Sequence, residues 1–380
     1  MKLHLKLPQM PKLRIGKLLA RIPIIQGGMG VGISLSGLAS AVAREGGIGV
    51  IATAGIGMLE QDFQSNFKAA NERALRREIR QARKKTDGII GVNIMLALSD
   101  YAELCRAAIE EGVDVVILSA GLPLKVPDHM PPDWPRGCGS MIVPKVSSGR
   151  AARLIFQYWS RHYDRVPDAV VLEGPMAGGH LGYRKEDLDN ADFALEKLVP
   201  DVIAAVRPFE QRYGVHIPVV VGGGIFTGGD IYRFLEMGVQ GVMMATRFVG
   251  TYECDAHENF KEAYVNCRKE DVVAIDSPVG LPGRAILNKY LKDVADGIRK
   301  PYRCFWKCLR TCDVRNAPYC IAEALTNAKE GLLEKGFAFA GANAYRVNKI
   351  VSVKNLIESL VSEYQRAAAT AAVKLQPVHA

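Results

Sequence analysis

Short, continuously apolar runs alternate along the chain with longer stretches of helical periodicity. The runs fall at residues 22–26, 48–52, 89–95, 113–118, 141–146, 169–172, 218–221 and 241–245. Segments with 3.6-residue spacing lie between most of them, at 35–44, 67–84, 101–111, 149–161, 193–213 and 231–237. The runs are apolar throughout rather than at every second position. That is the pattern of parallel strands buried on both faces, and alternation with helices predicts a parallel sheet. An open doubly wound sheet would carry G-x-G-x-x-G after its first strand. Gln26-Gly27-Gly28-Met29-Gly30 follows the first run but lacks that spacing. The expected fold class is therefore α/β, a (β/α)₈ barrel, with a smaller, mainly helical lid region after strand eight.

Such barrels keep their chemistry at the carboxyl ends of the strands. Residues 170–182, VVLEGPMAGGHLG, end a buried run with Glu173, then Gly178 and Gly179, then His180. Paired glycines let the backbone approach a flat, anionic ligand closely, because no Cβ intervenes. For this fragment alone, a tight turn with a surface histidine reads equally well. A second cluster, Gly222, Gly223 and Gly224, closes the seventh run, and Ala245-Thr246-Arg247 closes the eighth. Two neighbouring strand ends that present backbone N–H groups make a phosphate cradle, commonly after strands seven and eight. The other strand ends carry Gly28, Met29 and Gly30, then Asn93, then Lys145. Asn93 suits a hydrogen bond to a ring carbonyl or nitrogen. Lys145, set among Ile142, Val143 and Val146, suits a cation beside a ring that gains negative charge on reduction.

Read in order, IQGGMG at 25–30, GVNIM at 91–95, AGGH at 177–180, GGGI at 222–225 and TRF at 246–248 resemble the nitronate monooxygenases, formerly 2-nitropropane dioxygenases. They are equally similar to the related flavin-dependent enoyl-acyl-carrier-protein reductase II. The resemblance covers residues 22–248 and resumes near 340. It implies FMN on the barrel, its phosphate at Gly223, Gly224, Ala245 and Thr246. It puts the ring near Gly28, Met29, Asn93, Lys145, Gly178 and Gly179. It makes His180 the catalytic histidine, beside a nitronate in one activity and near an acyl thioester in the other. Two residues depart from the family pattern: Met176 stands where glutamate is frequent, and Ala245 where glycine is usual. Asn343 lies where relatives place a Gly-Gln segment that returns to the flavin; a turn asparagine is the competing reading.

The chain is expected to divide into a basic N-terminal arm (1–21), an FMN-binding barrel (22–270) and a lid and cysteine-cluster region (271–330). A segment returning to the barrel (331–365) and an alanine-rich tail of frayed helix or disorder (366–380) complete it. At 380 residues and 48% hydrophobic content the chain is long enough for one large barrel plus a lid. Its formal charge of +9 suits acidic partners such as acyl carrier protein or a coenzyme A thioester, although ordinary surface charge explains it as well. No nucleic-acid motif occurs, and the apolar runs are too short to span a bilayer. Without an apolar stretch near the N-terminus, a cytoplasmic location is expected. Substrate, nicotinamide preference and oligomeric state are not legible.

Four of the eight cysteines crowd into one stretch, Cys304, Cys308, Cys312 and Cys320, spaced C-x₃-C-x₃-C-x₇-C. Four thiolates suit a [4Fe–4S] cluster or, less well beside a flavin, zinc. On a straight helix, positions eight apart are separated by about 12 Å of rise, so a shared centre requires the segment to bend. A cysteine-lined helix face packed in the core is the competing expectation. An iron–sulfur centre would favour the reductase, with NAD(P)H as donor. Nitronate oxidation is the leading activity, and a non-catalytic flavin- or cluster-binding sensor the third.

Overall fold

The structure is a computed structural model that describes residues 9–125, 127, 130 and 137–374. A short antiparallel hairpin comes first, β1 (Leu13–Ile15) and β2 (Leu18–Ala20). The eight parallel strands follow: β3 (Ile24–Gln26), β4 (Gly49–Ala52), β5 (Ile90–Met95), β6 (Val115–Ser119), β7 (Met141–Val146), β8 (Val170–Glu173), β10 (Val219–Gly222) and β11 (Gly241–Met244), with the short β9 (Gly179–His180) lying outside this sheet. Each strand pairs with the next, β11 pairs back onto β3, and a parallel bridge between Ile25 and Ile48 closes the ring. Every one of the eight apolar runs becomes a barrel strand.

The continuous hydrophobicity of the runs has a direct cause. Ile25, Val50, Val115, Ile117, Val143, Val171 and Val220 fill the barrel interior. Their neighbours Ile24, Ile51, Val116, Leu118, Ile142, Val170 and Val221 pack outward against the helices. Alternate side chains thus enter two different cores, and neither face of a strand meets water. Within the interior cluster sit Leu13, Ile15 and Ala20 of the first hairpin, so residues 13–20 plug one end of the barrel. The basic arm expected over 1–21 is therefore part of the packed fold where it is described. Lys2 and Lys6 lie outside the described residues.

The surrounding helices are α1 (Ser36–Arg44), α2 (Phe63–Lys85), α3 (Tyr101–Glu110), α4 (Gly149–His162), α5 (Leu195–Tyr213), α6 (Gly228–Glu236) and the single turn α7 (Thr246–Val249). After α8 (Glu258–Val265) the region beyond the barrel carries the expected helices together with a short hairpin. It opens with an antiparallel hairpin, β12 (Val272–Asp276) and β13 (Pro282–Ile286), and β13 also pairs with β9. The helical spacing that begins at Ala285 is realised only from Lys289, as α9 (Lys289–Ala295), because Ala285 and Ile286 are held in the strand ladder. Asn288 then caps the helix, its side chain accepting from Leu291 N–H at 3.1 Å. Helix α10 (Ile321–Lys329) and a long α11 (Val353–Lys374) complete the described chain. Helix α11 lies along α6, where Glu363 accepts from Gly228 N–H at 2.7 Å. The tail is thus helical to residue 374, and the rest of the expected 366–380 segment lies outside the described residues.

Candidate active site

At the carboxyl end of the barrel the predicted glycines interlock. Gly223 and Gly224 have positive φ (96° and 92°), a backbone that L side chains rarely adopt. A Cβ on Gly223 would lie 2.8 Å from Gly174 O, and one on Gly224 would lie 3.0 Å from the Met176 sulfur. The turn after β10 therefore nests against residues 174–177 after β8. The same turn receives the C-terminal segment. Asn343 donates from Nδ2 to Gly224 O at 2.6 Å, Ala342 N–H donates to Met176 O at 3.0 Å, and a Cβ on Gly341 would collide with Thr246 Oγ1. Gly178 packs so tightly on Ala340 and Gly341 that it also has no room for a side chain. Residues 174–179, 222–224, 245–246 and 341–343 thus form one cradle. Gly222 rests on Met243 of β11, and Gly27 N–H bonds Met244 O, which joins the first strand end to the last.

The opposite wall is built from Gly28, Asn93, Gly30 and Met29. A Cβ on Gly28 would sit 2.6 Å from that of Asn93, and one on Gly30 would touch Ala54 at 3.0 Å. Met29 N–H donates to Ser34 Oγ at 2.8 Å. Between the walls, Lys145 Nζ meets Glu173 Oε1 at 2.8 Å, both half-buried. The cation read from sequence therefore has a counter-ion, supplied by the adjacent strand. Tyr183 fixes the neighbouring backbone by donating to Glu173 O at 2.6 Å.

Gly179 is different. Its φ is 79°, and nothing lies within 4 Å of the position a Cβ would take. Next to Gly178 and the glycine cradle, this open space leaves room for a flat cofactor ring. The residues present fit FMN: cradle N–H groups for a phosphate, Asn93 and Lys145 for the ring, and glycine where a side chain would intrude.

His180 follows immediately. Its strand β9 pairs with β13, and its Nε2 lies 2.7 Å from Ser277 Oγ at the tip of the β12–β13 hairpin. The ring packs edge-on to Phe339, with centroids 4.9 Å apart. Burial lowers its pKa from 6.5 to about 4, so the imidazole is neutral near pH 7. His180 is not a free surface group in a tight turn, because strand pairing and Ser277 hold its ring partly buried. Arg284, buried in β13, donates Nη1 to Ala177 O at 2.9 Å and also to Pro175 O. It clamps the very loop that carries the glycine pair. Ser277, Arg284 and Phe339 carry no motif; only the pairing of β9 with β13, set by tertiary packing, exposes their role.

The four clustered cysteines are brought together by an irregular loop rather than a helix. Residues 299–320 contain no helix. Lys300 N–H bonds Pro318 O at 2.8 Å, so the two ends of the loop meet. The packed helix face is thereby excluded. Cys304, Cys308, Cys312 and Cys320 line one cavity of about 440 Å³, walled also by Met58 and Phe63. Among the described residues, no three His, Cys, Asp or Glu side chains are placed to hold a single metal ion. The zinc expectation finds no support.

A barrel of eight parallel strands with a glycine cradle at its last strand ends defines a phosphate-bearing cofactor enzyme fold. The model of the family described as nitronate monooxygenase matches residues 12–363. The chain belongs to the nitronate monooxygenase family, a family of flavin-dependent oxidoreductases. A (3aS,4S,5R,7aS)-5-hydroxy-7a-methyl-1-oxo-octahydro-1H-indene-4-carboxyl-CoA dehydrogenase of Mycobacterium tuberculosis is 26% identical over 277 residues, 73% of this chain and 66% of that protein. A Rhodococcus jostii protein of the same description is matched over 62% of its length, so the chain spans about two thirds of these relatives. A probable nitronate monooxygenase of Staphylococcus aureus is 24% identical, covering 72% of this chain and 77% of that one. Among solved structures, FabK from Thermotoga maritima superposes with a TM-score of 0.71 at 27% identity, covering 93% of this chain and 96% of FabK. Nitroalkane oxidase from Streptomyces ansochromogenes, at 23% identity and TM-score 0.69 over 93% of this chain and 98% of that one, shares the fold.

Proposed function

We propose that the protein is an FMN-dependent oxidoreductase that oxidises alkyl nitronates. The observation that carries this reading is the neutral, partly buried imidazole of His180 next to the open space at Gly179. Bound FMN supplies the two-electron acceptor and its return to the oxidised form by oxygen. The chain's own residues hold and orient. Gly223, Gly224, Ala245 and Thr246 hold the phosphate, Asn93 and Lys145 face the ring, and the β12–β13 hairpin orients His180 through Ser277. A neutral imidazole imposes no charge until an anion arrives. A nitronate beside it favours the protonated form, so His180 would take a proton from solvent when the anion binds and stand as its counter-ion.

A second reading is reduction of an enoyl thioester, carried on coenzyme A or acyl carrier protein, with NAD(P)H as donor. The four-cysteine cavity favours it, because an iron–sulfur centre would suit a reductase better than an oxygenase. The likeness to FabK and to the indene-carboxyl-CoA dehydrogenase of Mycobacterium tuberculosis supports it too. Anaerobic mixing decides: reduction of the flavin by a primary nitronate and not by NADH or NADPH supports the first reading, and the converse supports the second. Heat-denatured protein is expected to release FMN rather than FAD, since one cradle serves one phosphate. No helix among the described residues is long and apolar enough to cross a membrane. All eight cysteines are free, which supports a reducing, cytoplasmic setting.

A further inference from the structure

We propose that the loop 299–320 holds a [4Fe–4S] cluster on Cys304, Cys308, Cys312 and Cys320. All four thiols line the same cavity of about 440 Å³, which is more room than a single ion needs. Ligands on one zinc ion converge to about 2.3 Å from a common point. Ligands on a cubane each bind a different corner and stand further apart.

The thiols also have the surroundings that thiolates need. Lys307 takes a left-handed backbone (φ 40°) that aims its N–H at Cys304 Sγ, 3.3 Å away. The Trp306 side chain hydrogen-bonds Cys308. Cys320 is the N-cap of α10, where the N–H groups of Ala322 and Glu323 reach its sulfur. Four ionised thiols in one cavity repel one another unless cations sit between them. Arg303 and Lys307 also line the cavity and suit the net negative charge of a thiolate-ligated cluster. Its carboxylates are Glu60, paired with Arg77 at 2.6 Å, and Glu323.

The cavity is tied to the barrel rim. Ser99 N–H bonds Cys308 O at 3.0 Å, Arg310 N–H bonds Ala97 O at 2.9 Å, and Leu98 bridges Leu309. Residues 97–99 extend from the strand that carries Asn93. The centre therefore lies beside the cofactor wall, but its existence rests on the cysteines alone and not on the substrate.

Full-length protein purified without oxygen, or reconstituted with ferrous iron and sulfide, is expected to carry about four irons and four acid-labile sulfides per chain. Dithionite should then produce an iron–sulfur electron paramagnetic resonance signal. Cys308→Ser should lose most of the iron and sulfide, as should Cys304→Ser at a less buried position, while both keep flavin and secondary structure. Cys105→Ser, in the core away from this cavity, should keep all three. Zinc without sulfide, disulfides among the four cysteines in anaerobic protein, or iron that survives both substitutions would overturn the assignment. Flavin and iron are measured separately, so failure of one does not imply failure of the other.

Discussion

His180 and Ser277 meet at 2.7 Å although 97 residues separate them, because the β9 strand of one is hydrogen-bonded to the hairpin of the other. The serine fixes which way the imidazole faces. His180→Ala is expected to retain FMN and to lower turnover by about 10²-fold or more, the usual scale for a positioned acid–base group. Ser277→Ala should cost about 2- to 10-fold, the worth of one hydrogen bond. Flavin content and steady-state rates measured together test this. Parallel loss of both in His180→Ala would make the residue structural.

The same burial gives a pH dependence with a definite sign. His180 titrates near 4 in the folded chain against 6.5 ordinarily, so the unfolded chain binds a proton first as pH falls. Its contribution is complete above pH 6.5 and is lost as pH falls through 4. At 1.36 kcal/mol per unit the difference is about 3 kcal/mol. Urea unfolding of wild type and His180→Gln at several pH values should show a steeper loss in the wild type between 6.5 and 4. Equal slopes would mean that the ring is not held neutral.

Gly179→Ala places a methyl group in the open space of the site and forces a non-glycine residue to φ 79°. The backbone cost is about 1–2 kcal/mol. Gly214→Ala imposes similar strain at the C-cap of α5, also with nothing within 4 Å, but far from the cradle. Both variants should lose stability, and only Gly179→Ala should lose flavin. Matching flavin retention in the two would remove Gly179 from the cofactor site.

Arg284→Met leaves the carbonyls of Pro175 and Ala177 without their shared donor. A loss of about 2–4 kcal/mol is expected, since hydrogen bonds from charged groups contribute about 1.5–3 each. Flavin should dissociate faster as the 174–179 loop loosens, which fluorescence of the released cofactor would follow. Destabilisation with unchanged flavin release would show that the clamp serves the hairpin alone.

The barrel was legible because each of its strands is apolar on both faces, and Gly223, Gly224 and His180 stand out against those runs. The glycine cradle could be read from sequence because its close approaches forbid side chains. What escaped was set by long-range pairing. Ala285 and Ile286 read as a helix start until β9 and β12 claim their backbone. Ser277 and Arg284 look like ordinary lid residues until that pairing turns them toward the site. Lys145 is legible as a half-buried cation, but nothing in the local pattern signals that Glu173 of the adjacent strand is its partner. The four cysteines announced themselves by number. Their common cavity depends on a loop closure between Lys300 and Pro318 that no local pattern signals.

Closure of the barrel between β11 and β3 sets an order of events at the ribosome. Strand β3 has only one edge covered until Gly241–Met244 emerges, more than two hundred residues later. The start of α1 waits longer still: Leu35 and Leu38 donate to Asp255, 220 and 217 residues downstream. At about 5–20 residues per second the nascent chain spends on the order of 10–40 s with that edge open. The first hairpin, already made, can lay Leu13 and Ile15 against the growing sheet throughout this interval. Shortening it should therefore raise the fraction of newly made chain that aggregates more than it lowers the stability of chain that has closed.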